Sequence, residues 1–193
     1  MPVYPHKLGA RAGSEKREDF LEAAIKHISV DGDWAEFGVF TGSTLRFLSE
    51  RAENRIIHGF DSFEGLPENW GNIAGMTKGT FALTKEQVGA IQWPANASIH
   101  KGWFKDTVPE FAKTAGPLAF VHIDSDLYSS ASTVLTGLKG NIVKGTVLVF
   151  DEYFGWNGWE QGEALAFEEF LATGRHATFL AYNSMEVAAV MED

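Results

Sequence analysis

The amino-acid sequence predicts an α/β protein in which helices cover both faces of a doubly wound, mostly parallel sheet. Strand and helix patterns alternate along the chain, which is typical of this class. Two strand segments, LAFVHID and TVLVFDE, are runs of mainly Val, Ile, Leu and Phe, as expected of strands buried on both faces. Ligands of such sheets bind at the carboxyl ends of the strands, and Asp61, Asp124 and Asp151 end three of the predicted strands.

Length and composition indicate one domain. The chain has 193 residues, of which 45% are hydrophobic, and it contains neither an internal repeat nor a linker rich in Pro, Gly or Ser. One substantial core is therefore expected. We predict an N-terminal arm over residues 1–13 and the domain over residues 14–193.

Charge and cysteine content limit the partners. The 16 basic and 26 acidic residues give a net charge of -10, which disfavours nucleic acids and anionic membranes because both carry the same sign. A neutral or cationic small molecule is the easier ligand. The sequence has no cysteine, which excludes disulfides and thiolate chemistry. It has neither a secretory h-region nor an apolar run of 18 residues, so we expect a cytoplasmic protein without a membrane span.

The N-terminal half predicts two strands and two helices. From Ser14, a plausible N-cap, apolar residues recur at helical spacing as far as Ile28. WAEFGVF then predicts a short buried strand that enters a Gly-containing turn, and STLRFLSERA restores the helical period. RIIHGFD predicts the next strand. The segment 62–80 is long, irregular and rich in Gly and aromatic residues, and such loops are usually functional or disordered.

The C-terminal half continues the alternation. NASIHKG is a weak strand, and DTVPEFAK predicts a helix start with a capping box between Thr107 and Glu110. The crossover helix SASTVLTGLKGNIVKG lies between the two strongest strands. QGEALAFEEFLATG predicts a further helix with a Gly stop, and ATFLAY and EVAAVM predict a closing antiparallel hairpin.

The first candidate site is the turn in AEFGVFTGST. Gly38 and Gly42 would let the backbone turn sharply and approach a ligand closely, while Ser43 and Thr44 can present donors where the next helix begins. The P-loop and dinucleotide fingerprints are absent, and a purely structural turn is the alternative. Asp61 lies 19 residues past Gly42, near the spacing at which such folds place an acid on ribose hydroxyls. Its alternative role is to cap a turn.

The second candidate site is a group of acids at neighbouring strand ends. Asp151 and Glu152 follow Asp124 by 27 and 28 residues, and carboxylates that converge repel one another unless a proton or a cation neutralises them. Oxygen ligands without Cys favour a hard divalent ion such as Mg²⁺. In the alternative, each acid is a solvated cap. Asp126 is expected to be the N-cap of the crossover helix. His122 is expected to be a hydrogen-bonded core or near-site residue rather than a ligand.

Five segments resemble the macrocin O-methyltransferase family of S-adenosylmethionine-dependent enzymes, in consistent order from about residue 36 to residue 170. They are EFGVFTGSTLRFL, GFDSFEGLPE, GWFKDTVP, HIDSDLYSSASTVL and VFDEYFGWNGWEQGEALAFEEF. The resemblance implies a Rossmann-like class I methyltransferase fold, with a seven-stranded sheet whose last hairpin is antiparallel. It also implies methyl transfer from S-adenosylmethionine to a hydroxyl of a small molecule, a sugar or glycosylated natural product, with Mg²⁺ or another divalent cation. Members of the family tend to self-associate, so the resemblance is compatible with a homo-oligomer, and the sequence leaves the oligomeric state open.

The resemblance also implies roles for individual residues. Those around S-adenosylmethionine would be Glu36, Gly38, Phe40, Thr41, Gly42, Ser43, Asp61, Ser62, Phe63, Gly102, Trp103, Phe104 and Asp124. Asp124, Asp151 and Glu152 would hold the metal, and Asp124 is also the candidate to take the proton. Glu152 departs from the family, which often has Asp there, and Leu127 stands where related catechol O-methyltransferases carry a Lys base. A non-catalytic S-adenosylmethionine-binding protein is the alternative function, against which the intact metal acids argue.

Overall fold

A single mixed sheet forms the centre of the computed structural model, which describes residues 10–71 and 73–193. Its strands are β1 (Ala10–Arg11), β2 (Asp33–Phe37), β3 (Ile57–Asp61), β4 (Ala97–Lys101), β5 (Leu118–Ile123), β6 (Ile142–Phe150), β7 (Ala177–Tyr182) and β8 (Val187–Met191). They lie in the order β1-β7-β8-β6-β5-β2-β3-β4. Only β8 runs antiparallel to its neighbours, β6 and β7. The predicted parallel sheet with a C-terminal antiparallel hairpin is confirmed.

Helices cover both faces of this sheet. They are α1 (Arg17–Ile25), α2 (Ser43–Arg51), α3 (Lys85–Ala90), α4 (Phe104–Ala112), α5 (Tyr128–Gly137) and α6 (Glu163–Ala172). One buried apolar cluster contains residues of α1 and α2, and another contains residues of α4, α5 and α6. The consecutive β5 residues Phe120 and Val121 belong to different clusters. Because successive side chains of a strand point to opposite faces, the two groups of helices lie on opposite sides of the sheet.

The sheet has eight strands rather than seven because a short segment of the predicted arm adds to its edge. Ala10 and Arg11 pair in parallel with Ala181 and Tyr182 of β7. An edge strand leaves backbone N–H and C=O groups free for such pairing. A strand of two residues carries no periodicity, so the sequence has no signal for it.

Two predicted helix starts are wrong. α4 begins at Phe104 and not near Thr107, whose hydroxyl donates to the carbonyl oxygen of Trp103 at 3.2 Å instead of capping. The N-cap of α1 is Lys16, and Ser14 Oγ accepts a hydrogen bond from the Lys16 N–H at 3.2 Å. The described capping box is at α3, between Thr84 and Gln87. Caps are local contacts between a side chain and the backbone, and several polar residues near a helix start fit the same pattern.

The long loop over residues 62–80 has no regular secondary structure where it is described, as predicted. Leu66 and Trp70 are buried in it, and they form a small apolar cluster with Leu127. The loop thereby packs against the chain that leaves β5. Within residues 10–71 and 73–193, no helix has both the length and the apolar character needed to cross a bilayer.

Candidate functional site

The carboxyl ends of β2, β3, β5 and β6 meet at one edge of the sheet. Phe37 is in register with Ile123, and Ile123 with Phe150, so the residues that follow these three strands emerge side by side. The chain continues from β2 towards β3 on one side, while β5 lies on the other side of β2. Such a switch point is where open α/β sheets bind ligands. A cavity of about 780 Å³ lies there.

Ten of the residues with implied roles line this cavity: Gly38, Phe40, Ser43, Asp61, Ser62, Gly102, Trp103, Phe104, Asp124 and Glu152. Five do not: Glu36, Thr41, Gly42, Phe63 and Asp151. Four of these five are buried, and Thr41 is exposed outside the cavity. The contacts of Glu36, Phe63 and Asp151 are described below.

Gly38 allows two strand ends to approach closely. Its φ is +98°, and a Cβ there would lie 1.7 Å from the carbonyl oxygen of Asp124. The Asp124 N–H also donates to the carbonyl oxygen of Phe37 at 2.9 Å. The close approach is therefore to the backbone of Asp124, in addition to any approach to a ligand.

Asp61 braces the turn after β2. Its Oδ2 accepts hydrogen bonds from the N–H groups of Val39 at 2.9 Å and Phe40 at 2.7 Å, and its Oδ1 accepts from Phe63 N–H at 2.7 Å. Phe40 and Phe63 have φ values of +48° and +59°, which side chains other than Gly rarely adopt. The capping role that was the alternative for Asp61 is thus observed, and Asp61 also faces the cavity.

Acidic side chains converge at the ends of β5 and β6. Carboxylate oxygens of Asp124, Asp126 and Glu152 lie within 4.8 Å of one another, and so do ligand atoms of His122, Asp124 and Asp151. Burial raises the pKa of Asp124 and Glu152, and neighbouring carboxylates raise it further. The site therefore attracts protons or cations.

Asp126 is not the N-cap of α5, and that prediction is wrong. The N-cap is Leu127, without a side-chain cap bond, and Asp126 has a φ of +63°. The Leu127 N–H donates to the carbonyl oxygen of Ser125, so the chain turns before the helix begins. This turn leaves the Asp126 carboxylate with the acidic cluster and on the cavity wall.

Arg17, which was not among the residues predicted for the site, lies among the acids. Its Nη1 donates to Asp124 Oδ2 at 2.9 Å, and its Nη2 donates to Asp151 Oδ2. Arg17 is the first residue of α1, a position where the helix dipole disfavours a positive charge. That unfavourable position is the only feature of the sequence that could have pointed to a role for Arg17, because 107 and 134 residues separate it from these partners.

His122 and Glu36 form a buried pair beneath the acids. His122 Nδ1 lies 3.1 Å from Glu36 Oε1, and both side chains are inaccessible to solvent. Burial alone would lower the pKa of His122, but the nearby carboxylates of Asp151, at 3.9 Å, and Glu36 raise it to about 10. The expectation of a hydrogen-bonded near-site histidine is confirmed. Glu36 is engaged by His122 rather than exposed on the cavity wall.

Glu163 joins the two loops that carry the acids. Its Oε1 accepts from the N–H and the hydroxyl of Ser125, both at 3.1 Å, and its Oε2 accepts from Glu152 N–H at 3.3 Å. Glu163 is fully buried at the start of α6. Its carboxylate holds the chain beside Asp124 and the chain at Glu152 at a fixed separation.

Glu186 adds a further acid behind the site. Burial and the charge of Asp151 raise its pKa to about 7, although a hydrogen bond from Asn183 and the charges of His122 and Arg17 act in the opposite direction. Its side chain is buried in the turn between β7 and β8. The excess of negative charge therefore extends beyond the cavity wall.

Comparison with known sequences assigns the family. The profile of the macrocin-O-methyltransferase (TylF) family matches residues 5–172, which is most of the chain. The chain belongs to this family. The resemblance found in the five sequence segments is thereby confirmed.

Two curated relatives of this family member come from Streptomyces. One, from Streptomyces olivaceus, is the 8-demethyl-8-(2,3-dimethoxy-alpha-L-rhamnosyl)-tetracenomycin-C 4'-O-methyltransferase, 30% identical over 159 residues. The other is the demethyldecarbamoylnovobiocin O-methyltransferase of Streptomyces niveus, 27% identical over 159 residues. Each match covers 72% of this chain and 60% of the relative. The chain thus matches less than two thirds of these relatives' length.

The fold of this family member is similar to that of a solved enzyme. The structure of the calicheamicin methyltransferase CalS11 matches with a TM-score of 0.75 and 21% sequence identity, over 92% of this chain and 81% of that chain. At this identity, the likeness concerns the fold alone. It supports the Rossmann-like methyltransferase architecture.

The residues present fit the two groups that the family implies, a divalent cation and S-adenosylmethionine. Asp151 Oδ1 and Glu152 Oε2 are buried and have no hydrogen-bond partner among the described residues, as expected of oxygens that await a hard cation. The cavity volume of about 780 Å³ lies in the range of small-molecule and cofactor sites. Asp61 and the turn after β2 form one side of it, and the acids form the other.

Proposed function

We propose that the protein transfers a methyl group from S-adenosylmethionine to a hydroxyl of a small molecule, a sugar or a glycosylated natural product. The observation that carries the proposal is one cavity in which the turn braced by Asp61 faces the acids around Asp124. The name of the Streptomyces olivaceus relative, an O-methyltransferase of a rhamnosylated compound, supports the class of acceptor. The negative net charge supports a neutral or cationic acceptor.

The proposed cofactor site is the half of the cavity next to β2, β3 and β4. Gly38, Phe40, Ser43, Asp61 and Trp103 line it. The carboxylate of Asp61 accepts hydrogen bonds from the turn after β2. The aromatic side chains of Phe40 and Trp103 offer a flat apolar surface for an adenosine group. S-adenosylmethionine supplies the electrophilic methyl group when bound. The protein then has to hold the acceptor hydroxyl in line with that methyl group and remove the hydroxyl proton.

The proposed metal site consists of Asp124, Asp151 and Glu152. A divalent cation bound there would supply Lewis-acid polarisation of the acceptor oxygen. Asp124 is the acid that we propose to take the proton, because its carboxylate lines the cavity in which the acceptor would bind. We assign no direct proton transfer to His122, because it is fully buried beneath Asp151.

A second function, S-adenosylmethionine binding without catalysis, is favoured by one observation. Arg17 already neutralises Asp124 and Asp151, as expected of a protein that binds the cofactor without metal-dependent chemistry. The two functions differ in their response to metal. A methyltransferase with this site requires a divalent cation for turnover, whereas a binding protein needs none.

The test combines calorimetry with a transfer assay. Both functions require binding of S-adenosylhomocysteine, and methyl transfer is measured with labelled S-adenosylmethionine on a panel of sugar, phenolic and peptide acceptors. Asp151→Asn should abolish transfer and leave cofactor affinity largely intact, and Glu110→Gln, an exposed acid on α4, serves as the matched control. Full activity in EDTA or in Asp151→Asn would refute the metal assignment. The cytoplasmic location and self-association stay predictions.

A further inference from the structure

Arg17 occupies the space between the two carboxylates that the proposed metal would bridge. Nitrogens of one guanidinium donate to Asp124 Oδ2 and to Asp151 Oδ2. The two nitrogens are held in a rigid planar fork, so the two carboxylate oxygens face the same edge of one cation. The negative charges that would attract a divalent ion are thereby already paired in part.

A divalent cation that bound Asp124 Oδ2 and Asp151 Oδ2 would compete with the guanidinium, which donates to these two oxygens. Mg²⁺ takes carboxylate oxygens at roughly 2.0–2.1 Å and requires a nearly ideal geometry. A nitrogen that hydrogen-bonds to Asp124 Oδ2 at 2.9 Å covers the approach to that oxygen. Two cations side by side in a partly buried site also repel each other. A cation placed between Asp124 Oδ2 and Asp151 Oδ2 would therefore exclude the guanidinium from that position.

The side chain of Arg17 has room to leave, whereas the carboxylate of Asp151 does not. The Arg17 side chain is 40% exposed, and that of Asp151 is 4% exposed. Phe20, Leu21 and Ala24 anchor α1 in the core. The helix can stay in place while the guanidinium moves into the cavity that Arg17 lines.

We propose that Arg17 is a built-in counter-ion that stabilises the metal-free site and is displaced when a divalent cation binds between Asp124 and Asp151. This inference rests on the proposed metal site. It makes Arg17 a positioning residue that sets the affinity and selectivity for the ion. Weakly attracted monovalent ions would not displace it, and the site would open only to a divalent cation.

The first test measures Mg²⁺ affinity by calorimetry, with S-adenosylhomocysteine present, for the wild-type protein, Arg17→Gln and Lys105→Gln. Lys105 is an exposed residue that lines the same cavity, so its substitution removes one positive charge without vacating the bridge. Arg17→Gln should bind Mg²⁺ roughly tenfold more tightly or better. Lys105→Gln should bind within about threefold of the wild type.

The outcomes separate this inference from the proposed function. Measurable Mg²⁺ binding that is equal in wild type and Arg17→Gln, or weaker in Arg17→Gln, overturns the displacement of Arg17 and leaves the metal site standing. An equal gain in Mg²⁺ affinity in Lys105→Gln also overturns it, since the loss of any positive charge near the cavity would then explain the tighter binding. No Mg²⁺ binding to either the wild type or Arg17→Gln overturns the metal site and this inference together.

A second measurement uses the wild-type chain and does not depend on a variant that folds. In arginine-labelled protein, the guanidinium signal of Arg17, assigned by its loss in Arg17→Gln or Arg17→Lys, reports its contacts. Titration with Mg²⁺ should shift this signal in step with the calorimetric binding curve, and titration with Na⁺ to the same ionic strength should not. A signal that stays in place at saturating Mg²⁺ refutes the displacement.

Discussion

Substitution of Gly38 by Ala tests how closely the ends of β2 and β5 approach each other. A Cβ at Gly38 would lie 1.7 Å from the Asp124 carbonyl oxygen, whereas real Cβ atoms essentially never come within 3.0 Å of such an atom. The two backbone segments would have to separate by at least the difference, 1.3 Å. They are joined by the hydrogen bond from Asp124 N–H to the Phe37 carbonyl oxygen, so the strain cannot relax locally.

The expected loss of stability has two parts. The left-handed backbone alone, with φ at +98°, costs about 1–2 kcal/mol for a residue with a Cβ. Forcing a methyl group into rigid backbone adds about 2–3 kcal/mol. Gly174→Ala is the matched control, because Gly174 has a φ of +93° and open space around its position. Gly174→Ala should lose only the stability that corresponds to the left-handed backbone.

Urea unfolding and calorimetric titration with S-adenosylhomocysteine measure the outcome. Gly38→Ala should lose about 4 kcal/mol of the free energy of unfolding. Its cofactor affinity should fall at least about tenfold, because Asp124 and the turn after β2 move apart. Gly174→Ala should lose about 1–2 kcal/mol and keep its cofactor affinity. Equal losses of stability in the two variants would refute the close approach of Gly38 to Asp124.

Three further predictions concern acidic residues in and around the site. The Glu163→Gln side chain has only one oxygen to accept from the donors on two loops, at Ser125 and Glu152. Its free energy of unfolding in urea should therefore fall by about 1–2 kcal/mol, and it should bind Mg²⁺ more weakly. An unchanged stability and Mg²⁺ affinity would contradict the bridging role of Glu163. The pKa of Glu186 rises from 4.5 to about 7, so the folded state holds its proton more tightly than the unfolded state. Between pH 4.5 and 8, metal-free wild type should therefore lose on the order of 2–3 kcal/mol of stability relative to Glu186→Gln, and a pH-independent difference in urea unfolding would refute this. Asp61→Asn should weaken S-adenosylhomocysteine binding about tenfold or more in calorimetry, since one oxygen cannot accept all three N–H groups; wild-type affinity would show that the turn does not need them.

Much of the fold follows from patterns that are local in the sequence. The segments LAFVHID and TVLVFDE are mainly apolar, which is typical of parallel strands covered by helices on both faces and predicts the parallel sheet. The convergence of Asp124 with Asp151 and Glu152 follows from the same pattern, since the carboxyl ends of neighbouring parallel strands meet. The closing antiparallel hairpin follows from ATFLAY and EVAAVM, two short strand patterns separated by a few residues, and the family resemblance implies it as well.

Other parts of the site depend on contacts that no spacing reveals. Arg17 reaches Asp124 across 107 residues, and Glu163 reaches Ser125 across 38. The strand formed by Ala10 and Arg11 depends on the free edge of β7. Asp126 was predicted to cap α5, but a left-handed turn moved its carboxylate into the cluster. Each of these features was missed because a side chain's partner is chosen by the packed fold.

The sequence by itself determined the α/β class, the order of strands and helices, and the acids that end the central strands. Hydrophobic periodicity decides these features, and it acts over a few residues at a time. Only the tertiary structure decided how the acids are compensated: by Arg17 from the first helix, by His122 beneath the sheet edge and by the backbone groups bound to Glu163. The reason is physical, because burial and charge neutralisation depend on distances in space between segments that are remote in the chain.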